Sequence, residues 1–190
     1  MSRSDPSNLI LPLLVVVALP ALAWIAMGRL PLLVFSFAFG GGFLIYVATL
    51  WRRHVDASTI IQPYLLTVML FILHVGEEYL TDFEVTVSKI NGAPVPETGF
   101  MLIAAFLAPI LWIGGAIAIL RNWRFGDYFV CTFFFAMIIA ELSHFAFPFV
   151  IDGTFHYESG MWTAALPLFP AIYGMHKLMR QMQQPPALGG

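Results

Sequence analysis

His74-Val75-Gly76-Glu77-Glu78 sets three ionisable side chains inside a stretch that otherwise reads as a membrane span, and Glu141-Leu142-Ser143-His144 does the same in another. Residues three or four apart share one face of a helix. His74 can therefore point the same way as Glu77 or Glu78, and Glu141 the same way as His144. An acid or imidazole in hydrocarbon is expensive unless it is paired or bound, so polar groups at that depth default to a functional role. Imidazole nitrogens and carboxylate oxygens are ligands for iron, zinc, manganese or copper. A helical Glu-x-x-His is also the spacing of carboxylate-bridged di-iron bundles, where other helices add single glutamates.

These residues form a candidate metal centre of His74, Glu77, Glu78, Glu141 and His144, with His156 from a later loop as a sixth donor. The set suits one crowded divalent transition metal ion, iron or zinc, or a dinuclear pair. It departs from the four Glu and two His of di-iron bundles. Glu77 and Glu78 lie about 100° apart around a helix, so they cannot serve equally. Glu78, four residues from His74, is the better mate for it, and Glu77 is expected as a bridging ligand or general base. Both glutamates are candidate catalytic residues. Hydrogen-bonding glue between helices is the plainer reading for any one such residue. Five of them on two helices at matching depth favour a functional centre.

The elements that must position these groups are membrane helices. The chain has 190 residues, 59% of them hydrophobic and only 11% charged. Its mean hydropathy is +0.83, well beyond a soluble domain. The formal net charge is −2 and no basic cluster is dense enough for nucleic acid. The single cysteine, Cys131, lies in an apolar run and reads as a small hydrophobe. A span takes roughly 20 apolar residues. Six segments qualify, at about 9–27, 31–50, 60–80, 100–120, 127–149 and 161–180. Arg3, the apolar run from Leu9 and Ala21-Leu22-Ala23 resemble a secretory signal. The run continues through Trp24 to Met27, so an uncleaved first helix is expected.

The fold class is thus all-α: a polytopic membrane protein, a bundle of about six transmembrane helices. Residues 1–182 read as one domain and 183–190 as a disordered cytoplasmic tail. Arg3, Arg52, Arg53, Arg121, Arg124, Lys177 and Arg180 fall on one side, against Arg29 and Lys89 on the other. That bias places both termini in the cytoplasm. His74, Glu77, Glu78, Glu141, His144 and His156 then lie in the outer half of the bilayer, with His54 and His176 on the opposite side. The 81–99 loop, through Val85-Thr86-Val87 before Asn91-Gly92, is expected to form a small hairpin. Gly40-Gly41-Gly42 and Gly114-Gly115 allow close helix approach. Pro109, Pro148, Pro167 and Pro170 are expected to kink spans four to six and open a cavity.

With His74-Val75-Gly76-Glu77-Glu78 in an outward-running span and Glu141-Leu142-Ser143-His144 two spans later, the chain resembles the small multi-spanning bacterial membrane proteins named for the HxxEE motif. The resemblance covers the chain from the second or third span to the sixth. Its motif is five residues with three fixed. It implies His74, Glu77 and Glu78 as key positions, and it implies no particular activity. A looser likeness, in chemistry only, is to the emopamil-binding type of sterol isomerase. There His and Glu in a compact helical membrane bundle move protons without metal.

Three functions remain open on these residues. The first is a metal-dependent membrane enzyme acting on a lipid or other apolar small molecule, oxidative with iron and hydrolytic with zinc. The second is a metal-free acid/base isomerase or hydrolase. The third is a non-enzymatic transporter or assembly subunit, against which the absence of inverted repeats argues. The expected location is the bacterial inner membrane.

Overall fold

The computed structural model describes residues 6–51 and 53–183, and within them all regular structure is helical. The chain runs through α1 (Ile10–Met27), α2 (Arg29–Thr49), α3 (Ala57–Leu80), α4 (Phe83–Asn91), α5 (Glu97–Phe100), a π-helical turn (Met101–Leu107), α6 (Ala108–Leu120), α7 (Arg124–His144), α8 (Phe147–Asp152) and α9 (Met161–Gln183). Five helical stretches are long and apolar enough to cross a membrane: Pro6–Met27, Arg29–Thr49, Ala57–Leu80, Glu97–Leu120 and Arg124–His144. The sixth expected span, α9, is long enough at 23 residues but less apolar, because His176, Lys177, Arg180 and Gln181 crowd its C-terminal part. Arg3, Arg52 and the tail from 184 lie outside the described residues.

The central helix is α7, which packs on α2, α6 and α9, while α3 lies against α9 and α6. Small residues decide how close these helices come. A Cβ on Gly42 would collide with the Thr132 backbone, so α2 can sit on α7 only with glycine there. Gly115 does the same for α6 beneath Tyr64 and Phe129. The core between them is aromatic: Tyr64, Phe133 and Trp112 form a chain of ring contacts at 4.5 and 4.7 Å. Large apolar side chains on the outside, such as Ile25, Leu44 and Phe169, remain exposed, as a lipid-facing surface requires.

At the end expected to be cytoplasmic, Asp127 on α7 is buried, accepts a hydrogen bond from Val55 N at 3.0 Å and lies 2.8 Å from His54 Nδ1. This fastens the α2–α3 loop, and Asp56 then caps α3 by accepting from Ser58 N at 3.0 Å. Helix α3 is thereby anchored at the end opposite His74 and Glu78.

Three sequence expectations change. The 83–91 segment is a helix and not a hairpin. Phe83, Thr86 and Val87 share one inward face at helical spacing, and Gly92 closes the helix at φ 68°. The fifth span stops at His144 instead of running to 149, because Pro148 has no amide to give the His144 carbonyl and its ring would clash with it. Near Pro109 the fourth span does not simply kink. Residues Met101–Leu107 adopt π geometry, and the Ala108 amide bonds to Ile103 O, five residues back. Pro109 could not have satisfied Ala105 O in an α register, so the wider turn absorbs the mismatch.

Candidate metal centre

Helix α3 delivers His74 and Glu78 four residues apart on one face, and α7 delivers Glu141 and His144 in its last turn. The four side chains meet. His74 Nε2 lies 3.2 Å from His144 Nε2, 3.1 Å from Glu141 Oε2 and 3.6 Å from Glu78 Oε1. His144 Nε2 lies 3.4 Å from the same Glu78 oxygen. All four residues are at most 5% exposed. The ligand atoms of His74, Glu78 and His144 lie within 4.8 Å of one another, close enough to share one ion.

Hydrogen bonds on the far side of each ring determine what the Nε2 atoms can do. His144 Nδ1 sits 3.1 Å from the Ser159 carbonyl, an acceptor only, so Nδ1 must carry the proton. His74 Nδ1 sits 3.0 Å from Thr163 Oγ1. That hydroxyl already donates to Glu77 Oε2 at 2.6 Å, so it accepts from His74 Nδ1–H. In the neutral rings both Nε2 atoms therefore present lone pairs, and they present them to each other and to carboxylate oxygens. Glu141 Oε2 is also left without a hydrogen bond, because the nitrogen 3.1 Å from it, His74 Nε2, carries no hydrogen in this tautomer. Converging lone pairs of this kind repel unless a cation sits among them. A bond from the far ring nitrogen to a carbonyl or hydroxyl is what holds an imidazole ligand in orientation around a metal.

Of the six donors expected from the sequence, four converge and two do not. Glu77 turns away from the centre, as a residue about 100° around the helix from Glu78 must. It accepts from Thr163 N at 2.7 Å, Tyr157 OH at 2.7 Å and Trp162 N at 3.3 Å, which ties the start of α9 to the end of α3. His156 joins a different group, 3.0 Å from Glu158 and 3.3 Å from Asp152. The reach of its loop decides this: His156 Nδ1 is tied to Thr154 O, two residues back, at 3.0 Å. Glu158 also takes Thr86 Oγ1 at 2.7 Å and Lys89 Nζ at 3.1 Å, and so clamps α4 to this loop. Burial pushes Glu158 upward, but the bonds from Thr86, His156 and Lys89 outweigh it and hold the carboxyl below its usual range. The bond to Glu158 raises His156 above its ordinary value.

Sequence reasoning missed Ser159, Gly160 and Thr163. Gly160, at φ +84°, lets the chain pass so close that a Cβ there would lie 2.6 Å from His144 Cε1 and 3.0 Å from His74 Cε1. The run Ser159-Gly160 reads as an ordinary turn, and nothing in it names the two rings it touches.

The centre opens onto an apolar, partly open cavity of about 150 Å³. Its walls come from α2, α3, α6, α7 and the π-helical turn, with Phe83 and Val87 of α4 over it. His74, Glu78, Glu141, Ser143 and His144 are its polar side chains, and apart from the Trp112 indole the rest of the lining is apolar. Asn91 holds α4 over the cavity from the other side, donating to Met27 O at 2.7 Å and accepting from Leu30 N at 2.8 Å.

No protein-family model, curated protein or solved structure matches this chain.

Proposed function

We propose that this chain is a membrane-embedded, metal-dependent enzyme acting on a lipid or other apolar small molecule. The observation that carries the reading is the pair of Nε2 lone pairs, 3.2 Å apart, facing carboxylate oxygens in a buried site. His74 and His144 serve as imidazole ligands, with Glu78 and Glu141 as the carboxylates. Two imidazoles and two carboxylates suit one four-coordinate ion better than a dinuclear pair, since Glu77 and His156 are engaged elsewhere. Bound there, zinc would supply an activated water for hydrolysis, and iron would supply oxidative chemistry. Glu77 acts through Thr163 as a positioning residue for His74, not as a ligand. The apolar cavity excludes bulk water and sets a hydrocarbon portion of the substrate beside Glu141 and His74.

The topology belonging to this proposal has six spans with both termini cytoplasmic, in the inner membrane of a bacterium. Exposed Trp162, Phe169, Ile172 and Tyr173 on α9 support its placement in lipid as the sixth. The centre then lies in the outer half of the bilayer, and substrate enters from the outer leaflet under α4.

A shared proton would also relieve the facing lone pairs, which keeps metal-free acid/base catalysis as the second reading. Elemental analysis of chelator-washed, detergent-purified protein decides between them, alongside His74→Ala/His144→Ala and Glu141→Gln. About one equivalent of iron or zinc in the wild type, lost in both variants, is the expected result. Protein without metal after expression with iron, zinc and manganese, or full metal in both variants, would overturn the metal reading.

A further inference from the structure

Two residues in the cavity wall carry a buried polar atom with no hydrogen-bond partner among the described residues: Glu141 Oε2 and Trp112 Nε1. The first belongs to the centre. The second has no role there. Trp112 is 4% exposed and rigidly held, stacked on Phe39 at 5.8 Å and tilted against Phe133 at 4.7 Å. Its carbonyl is satisfied by Tyr64 OH at 3.0 Å. Only the indole N–H is left over, and a phenylalanine could have made the same ring contacts with nothing unpaired. A buried donor without an acceptor costs stability, and because Trp112 lines the cavity an acceptor on a ligand there would satisfy it.

The two flanking helices put the residues that touch Trp112 about 12–15 Å from the centre. On α7, Glu141 lies eight residues from Phe133, the ring against Trp112, which is about 12 Å of rise. On α3, His74 lies ten residues from Tyr64, which bonds to Trp112, about 15 Å of rise. The wall between is apolar. It includes Ile103, Ala104 and Leu107 of the π-helical turn, where the alanine leaves room for a chain.

We infer that the cavity takes a linear single-chain lipid bearing an acceptor oxygen, a hydroxyl, ether or carbonyl, which Trp112 Nε1–H holds at the end away from the centre. The part of the chain about 12–15 Å from that oxygen then lies beside Glu141 and His74. Trp112 is on this account a specificity-determining residue, measuring which carbon is presented. Chemistry at that carbon rests on the metal-enzyme reading above, whereas recognition of the oxygen does not.

The test uses the full chain in phosphatidylcholine nanodiscs, with tritiated dodecan-1-ol and dodecane as probes and metal content measured on the same samples. Wild type should hold dodecan-1-ol about fivefold more tightly than dodecane, the margin one neutral hydrogen bond supplies. Trp112→Phe should abolish that preference while dodecane binding and metal content stay unchanged. Ala104→Phe should fill the channel and lose both probes. Equal binding of the two probes by wild type, a preference that survives Trp112→Phe, or probe binding that survives Ala104→Phe would overturn the inference. A wild type without metal but with the preference would remove the enzyme reading and leave the lipid site standing.

Discussion

Gly160→Ala is the sharpest perturbation of the centre, because it changes no ligand. The residue sits at φ +84°, where an added Cβ would lie 2.6 Å from His144 Cε1, 2.8 Å from His144 Nδ1 and 3.0 Å from His74 Cε1. Ordinary contact begins near 3.4 Å, so the His144 ring must retreat by about 0.8 Å. Metal–ligand distances hold to within about 0.2 Å, and that retreat takes Nε2 out of range. The left-handed backbone adds about 1–2 kcal/mol for any L side chain. Forcing two rings off their rotamers adds about 1–3 kcal/mol more. Gly153→Ala separates these contributions, because Gly153 has φ +72° and open space around its missing Cβ. It shares the backbone cost and none of the ring cost. Both variants are purified in nanodiscs, their metal content measured by mass spectrometry, and their melting followed with chelator and with added metal. With chelator, Gly160→Ala should melt below Gly153→Ala by about 2–4 °C for each kcal/mol of ring displacement. With metal, wild type and Gly153→Ala should gain stability by mass action, and Gly160→Ala should gain none. Full metal content in Gly160→Ala, with a melting point equal to that of Gly153→Ala, would refute the account of how the rings are held.

Two further outcomes follow from the surrounding bonds. Thr163→Val removes the hydroxyl between Glu77 and His74 while keeping the shape of the side chain. Metal affinity should fall about 10- to 100-fold with the ligands intact, and a competitive chelator titration that shows no change would exclude the positioning role of Glu77. The Glu158 clamp should depend on pH. His156 is raised in the folded state, so its contribution is complete below the unfolded value near 6.5 and is lost as pH rises through the folded value. Glu158 is lowered, so its contribution is present above about 4.5 and is lost as pH falls through its folded value. The clamp is accordingly strongest between these limits. The melting difference between wild type and His156→Gln should be largest near pH 6 and shrink by pH 9. A difference that stays constant across that range would show that the His156–Glu158 bond carries no charge.

Much of this protein is legible along the chain because its physics is local. Apolar runs of span length and a charged fraction of only 11% are consistent with helices that cross a membrane, where backbone polar groups must be satisfied within the helix. The His-x-x-x-Glu and Glu-x-x-His spacings place each pair on one helix face whatever the rest of the fold does. The prolines mark where regular geometry must yield, although not how. Pro148 ends a helix, whereas Pro109 follows a π-helical turn, and the chain order alone does not tell the two outcomes apart. Periodicity also misled at 85–87, where a short alternating run is compatible with both a strand and an amphipathic helix. The inward face shared by Phe83, Thr86 and Val87, with Thr86 bonded to Glu158, goes with the helix.

What the chain order left open is which donors meet, because that depends on contacts between residues 66 to 89 positions apart. Glu77 and Glu78 are indistinguishable as neighbours in sequence. Thr163, Trp162 and Tyr157 take Glu77, and the cavity between α3 and α7 takes Glu78. His156 has the right side-chain type for the centre, yet Asp152 and Glu158 engage it locally. The protonation pattern of the two central rings is likewise a tertiary property. It comes from a backbone carbonyl at Ser159 and a hydroxyl at Thr163, two groups whose chemistry is commonplace until folding sets them behind His144 and His74.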